Sequence, residues 1–189
     1  MNWASRLASR TAGTVATVAL AGTAAIGATT VMATPALASG RVPHVTMHRF
    51  DQRLLFLINR ARRIHGERPL LPAPGTTDVA RSWSCRLAQT RNLGHNLRLG
   101  NALDSHGSAS WTTYAENVGY VFHSQSADAL FRAYMNSPEH RANILDRSMR
   151  YVGVWSKRGG SLRFNTIDFV GSTAGAYHAS YGAQRRTHC

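Results

Sequence analysis

Three short polar groups stand where the hydrophobic pattern does not call for them. They are Gly94-His95-Asn96, Ala115-Glu116-Asn117 and Ser137-Pro138-Glu139-His140-Arg141. A histidine and a carboxylate brought together can do acid–base work, because imidazole titrates near neutral pH and a carboxylate can orient it or take its proton. A neutral ring nitrogen can also hold a divalent metal. His95 and Glu116 are separated by a long segment, and only folding can join them. Ser105-His106 sets a hydroxyl next to an imidazole, but a base must meet its nucleophile in space, and adjacency along the chain does not provide that. Hydrolysis further needs a group that stabilises the oxyanion, and no residue stands out for it. GxxxxGK[ST], HExxH and GxSxG are absent, as is any GxGxxG after a strand, which removes the common nucleotide, zincin and α/β-hydrolase readings. Two cysteines, Cys85 and Cys189, exclude a four-thiolate site. Whether they pair cannot be read from their positions.

The elements that must carry these groups show in the apolar spacing. Phe50, Leu54, Leu57, Ile58 and Ala61 recur at helical intervals, with Arg49, Arg53, Arg60 and Arg63 on the opposite side. This predicts an amphipathic helix that stops near Gly66. Pro69, Pro72 and Pro74 impose an extended connection. A second helix is expected from Thr77, with Val79, Ala80, Trp83 and Leu87 inward, ending before Gly94. Residues 94–113 read as a long loop. A third helix spans 126–135, and Ser137-Pro138-Glu139 starts a fourth with a cap, a proline at its first position and an acid in its first turn. The period then changes. Residues 151–155 and 162–169 read as strands around a Gly159-Gly160 turn. Helices first and a hairpin last mean α+β, with helices packed on a small antiparallel sheet. The expected core holds Leu54, Ile58, Val79, Trp83, Phe131, Val152, Val154 and Phe169.

The chain has 189 residues, enough for one domain with extras. Arg6 and Arg10 precede an uncharged run from Thr11 to Ala33 and then Ala36-Leu37-Ala38. Basic start, apolar run and small-residue site together read as a secretory signal peptide over 1–38. The expected organisation is then a linker at 39–48, one domain at 49–171 and a tail at 172–189. No second apolar run has membrane length, so the cleaved form is expected outside the cell and not membrane-spanning. Twenty-two Lys and Arg against nine Asp and Glu give a net charge of +13. The arginines are scattered and no groove-reading module accompanies them, which argues against specific nucleic-acid recognition. Attraction to anionic cell-envelope polymers fits them better.

The polar groups and their order resemble the bacterial, secreted SCP-like branch of the CAP superfamily, which includes cysteine-rich secretory proteins, antigen 5 and plant pathogenesis-related proteins. The resemblance runs through Leu57-Ile58-Asn59, Arg62, Gly66 and Leu70, then His95-Asn96, then Glu116-Asn117-Val118-Gly119. It continues in Ser137-Pro138-Glu139-His140-Arg141-Ala142-Asn143-Ile144-Leu145, Tyr151-Val152-Gly153-Val154 and Thr166-Ile167-Asp168-Phe169. It implies an α/β/α sandwich of CAP type around a cavity lined by two His and two Glu. His95 is similar to the first His and Glu116 to the first Glu. The second Glu falls at Ser137 and the second His near Arg163 or Phe164, while His140 belongs to the bacterial signature. The implied cavity residues are therefore His95, Glu116, Ser137 and His140. The function implied is binding of a small ligand, lipid or peptide at the cell envelope. An extracellular hydrolase using Glu116 and His95, and a basic adhesin for anionic polymers, are the alternatives. No cofactor is required, and zinc on His95 and His140 is the candidate metal.

Overall fold

The computed structural model describes residues 45–106 and 111–172. The expected signal peptide, most of the linker, the tail beyond Ser172 and Cys189 lie outside the described residues. Helix α1 (Arg49–Ile64) buries Leu54, Leu57, Ile58 and Ala61 and ends just before Gly66. Strand β1 (Leu71–Pro72) and helix α2 (Pro74–Thr90) follow. The second helix thus starts three residues earlier than its expected Thr77 cap. Pro74 takes the first helical position, where a missing N–H costs nothing, and the Thr77 hydroxyl bonds back to the Ala73 carbonyl at 2.8 Å.

The stretch expected to be a continuous loop contains helix α3 (Leu99–Ser105), whose Leu99 and Leu103 are both buried. That i, i+4 pair was the signal for it, masked by the Gly, Asn and Ser around it. Strand β2 (Thr113–Phe122), helix α4 (Ala127–Asn136), helix α5 (Pro138–Leu145) and the hairpin β3 (Met149–Gly159) and β4 (Leu162–Gly171) complete the order. The hairpin turns at Gly160-Ser161, where Gly160 takes φ +64°. That left-handed conformation suits a residue without a Cβ.

The sheet order is β1-β3-β4-β2. It is mixed and not purely antiparallel, because β1 runs parallel to β3 through Leu71↔Tyr151 and Pro72↔Val152. Alternation along the strands divides the side chains between two layers. Val152, Val154, Ile167 and Phe169 face α1, α4 and α5, together with Leu54, Ile58, Leu130 and Ile144. Phe164, Val118 and Val170 face α2 and α3. The architecture is an α/β/α sandwich, with the sheet between the two helical layers. Six of the eight expected core residues are buried. Trp83 and Phe131 are only partly buried, packed at the margins of their clusters.

A buried polar chain crosses the α1 layer. The Tyr134 hydroxyl donates to Asn165 Oδ1 at 2.9 Å, Asn165 Nδ2 reaches Ser156 Oγ at 3.0 Å, and the Ser156 hydroxyl donates to Asp51 Oδ1 at 2.5 Å. Burial pushes the Asp51 carboxyl up to about 6, against the opposing pull of Ser156 and Arg163. A raised folded-state value means that folding favours the protonated acid. The resulting stability is complete below about 3.8 and is lost as pH rises through about 6. Asp51→Asn is expected to remove this loss, a difference of about 3 kcal/mol in the change of unfolding free energy between acid and neutral pH. Denaturant melts of both proteins across that range measure it, and parallel pH curves would refute it.

Candidate functional site

The site is built where the loop after α2 crosses the sheet edge. Strand β2 is an edge strand. Consecutive residues on it point to opposite faces, and the Glu-Asn pair uses both. Glu116 faces the α2 layer. Its Oε1 accepts the Asn96 backbone N–H at 2.8 Å and His95 Nδ1–H at 2.8 Å. Asn117 faces the other way, donates to the His140 carbonyl at 3.0 Å and accepts from Asn143 Nδ2 at 2.9 Å. One dipeptide therefore ties the loop to one face of the sheet and α5 to the other. The indole N–H of Trp83 holds the same loop from α2, donating to the Gly94 carbonyl at 2.9 Å.

The pair is asymmetric. The Glu116 side chain is 4% exposed and that of His95 is 37% exposed. Because the buried carboxylate accepts from Nδ1, the neutral ring has its proton there and Nε2 is left as an acceptor. His140 approaches from α5. Its ring meets Tyr134 edge-on at 5.1 Å between centroids. Burial lowers its pKa, and His95 lowers it further. Ser137 ends α4 and begins α5, and its hydroxyl bonds Glu139 Oε2 at 3.1 Å. The expected side-chain cap from Ser137 to the α5 backbone is not made. A cleft of about 360 Å³ opens between α2 and α3, lined by Val79, Trp83, Arg86, Asn96 and His106 among others. It adjoins the site through Asn96, but His95, Glu116, Ser137 and His140 do not line it.

Residues 55–172 match the CAP family, the cysteine-rich secretory protein family. The chain belongs to the CAP family. Among solved structures it is similar to a cysteine-rich secretory protein from Staphylococcus aureus, with 22% identity and a TM-score of 0.54 over 65% of this chain and 38% of that one. An extracellular protein containing an SCP domain from Bacillus anthracis has 23% identity and a TM-score of 0.54, over 64% of this chain and 40% of that one. The outer surface protein of Borrelia burgdorferi has 16% identity and a TM-score of 0.57, over 69% of this chain and 99% of that one. The match thus spans about two fifths of the staphylococcal and bacillar proteins. No curated relative matches by sequence.

For the candidate zinc, a carboxylate on Nδ1 is the arrangement that orients metal-binding imidazoles. Zinc sites take three or four protein ligands. Among the described residues no group of three His, Cys, Asp or Glu is placed to hold a metal.

Sequence reasoning missed two residues that organise this region. Arg62, quoted only as part of the resemblance, follows Ile58 by four residues on the inner side of α1 and is fully buried. Asp168, directly across from Glu116 on β4, is buried as well. The signal for Asp168 was the one acid in β4, set between the apolar Ile167 and Phe169.

Proposed function

We propose that this CAP domain is secreted and binds a small ligand, lipid or peptide at the cell envelope, with His95 as the group that recognises it. The observation that carries the reading is the 2.8 Å bond from His95 Nδ1 to a buried Glu116, with the ring itself partly exposed. A surface imidazole ordinarily turns freely. This one is held by a buried carboxylate that also accepts the Asn96 N–H, and its bond through Nδ1 leaves Nε2 as the acceptor. Such an acceptor suits a ligand hydroxyl or ammonium group. The extracellular setting is supported by the signal-peptide pattern at the N-terminus, and by relatives described as an extracellular protein and an outer surface protein.

The test is titration of the mature protein with lipid, peptide and glycan fractions of cell envelope, followed by NMR of the histidine rings. One fraction is expected to shift the His95 signals. His95→Ala is expected to weaken that binding about tenfold or more, the value of one hydrogen bond of roughly 1.4 kcal/mol. Affinity unchanged by His95→Ala would overturn the reading. Binding that vanished at high salt and ignored His95 would favour the adhesin. Turnover of a fraction that stopped with Glu116→Gln would favour the hydrolase.

A further inference from the structure

Glu116 has a second oxygen, and its surroundings are unusual. Oε2 of Glu116 and both carboxyl oxygens of Asp168 are buried and meet no N–H or O–H donor among the described residues. The two residues are register partners across β2 and β4, so their side chains rise from the same face of the sheet. They lie within hydrogen-bond reach of each other. Two carboxylate oxygens repel unless a proton lies between them, and leaving three buried acceptors unmatched costs several kcal/mol in total, at roughly 1–3 kcal/mol each.

We propose that Asp168 is the proton-bearing partner of Glu116, and that its O–H, donated to Glu116 Oε2, holds the carboxylate that orients His95. The inference deepens the reading of His95 as the recognition group. The result is a line of three groups: the Asp168 acid, the Glu116 carboxylate and the His95 ring. One proton is shared between the two carboxyls, and the pair keeps one negative charge. That charge is spread toward His95 Nδ1–H and the Asn96 N–H, both on Oε1.

The neighbours of Asp168 agree with this. On the other side of β4 its register partner is Gly153 of β3, which brings no side chain. The α2 layer contributes Asp78 and Arg81, whose charges pair with each other at 2.8 Å. On the loop, the His95 ring is already bonded to Glu116. No cation of the described residues meets Asp168. Burial, with the Glu116 carboxylate beside it, drives the Asp168 carboxyl well above the usual carboxylate range. Asp168 is therefore a positioning residue. It acts on a ligand only through Glu116 and His95.

Infrared spectroscopy of the full mature protein with 13C-labelled aspartate tests this without any ligand. The failure of the pairing and the failure of ligand binding are therefore separable. At pH ~8 the Asp51 carboxyl is ionised, so an aspartic acid C=O stretch that persists there is expected from Asp168. It should vanish in Asp168→Asn. The Asn amide can donate to Glu116 Oε2 in place of the acid, so the His95 Nδ1–H NMR signal should survive in that variant. In Asp168→Val, which has no donor, exchange of that proton should accelerate about tenfold or more. No protonated aspartate at that pH, a band unchanged by Asp168→Asn, or an Asp168→Val protein with wild-type His95 exchange would each overturn the proposal. If Asp168→Val fails to fold, the spectra of the wild type and Asp168→Asn decide it alone.

Discussion

Arg62→Met is expected to leave little folded protein at room temperature. Arg62 is fully buried on the inner side of α1, and its guanidinium reaches four backbone carbonyls. They are Arg68 at 2.7 Å, Ile144 at 2.7 Å, Asp146 at 2.9 Å and Met149 at 3.3 Å. Ile144 lies in the last turn of α5, where carbonyls have no partner within the helix. Asp146 and Met149 lead into β3, and Arg68 lies in the connection to β1. One side chain thus fastens α1 to the end of α5 and to the start of two strands. Methionine fills a similar volume but donates nothing. Each stranded carbonyl then costs roughly 1–3 kcal/mol. A combined loss on the order of 5 kcal/mol or more is comparable to the whole stability of a small domain. Lysine should recover only part of it, because a single ammonium cannot span acceptors arranged around a planar fork. Soluble yield and thermal melting measure the effect. A methionine variant within 1 kcal/mol of wild type, on the scale of an ordinary surface change, would show that the network is not holding α5 in place.

Gly153→Ala is the second large effect expected, and it works by collision. A Cβ at Gly153 would meet the Thr76 carbonyl oxygen at 2.2 Å, its carbon at 2.3 Å and the Thr77 nitrogen at 2.6 Å. All three are backbone atoms in the first turn of α2, so no rotamer change relieves the contact. The helix must lift off the sheet or β3 must bend. Overpacking of this kind costs about 1–3 kcal/mol when side chains can give way, and more when they cannot. We expect a loss above about 3 kcal/mol, beyond the upper end of that range. A melting temperature close to wild type would mean that α2 tolerates displacement. Because Asp168 lies directly across from Gly153, a variant that folds with α2 displaced should also disturb the His95 ring signals.

The legible part of the structure is the part that obeys local rules. Helix α1 was readable because Leu54, Leu57, Ile58 and Ala61 repeat at the helical period, and they are buried as that period requires. The hairpin was readable because Gly159-Gly160 interrupts two β-rich runs. Asn59, quoted only as part of a resemblance, uses both ends of its amide on Leu70, accepting its N–H at 2.8 Å and donating to its carbonyl at 3.0 Å. Helix α3 was hidden because seven residues rich in Gly, Asn and Ser leave only two leucines to mark it. Strand β1 was hidden because two residues carry no period at all.

The candidate site divides along the same line. His95 and Glu116 could be named from residue type and from the family resemblance, since a histidine and an acid outside the apolar pattern are visible in any one-dimensional reading. Residue order alone determined the layered class, most of the core and these two names. Tertiary structure alone decided that Glu116 Oε1 serves both His95 and Asn96, that Asn117 turns away to secure α5, that Ser137 spends its hydroxyl on Glu139, and that Asp168 lies against Glu116. The physical reason is range. Periodicity and capping act between residues a few positions apart, and the chain records them locally. Strand register is a long-range choice, made by the packing of both faces of the sheet at once, and it alone sets a buried acid on β4 opposite a buried acid on β2.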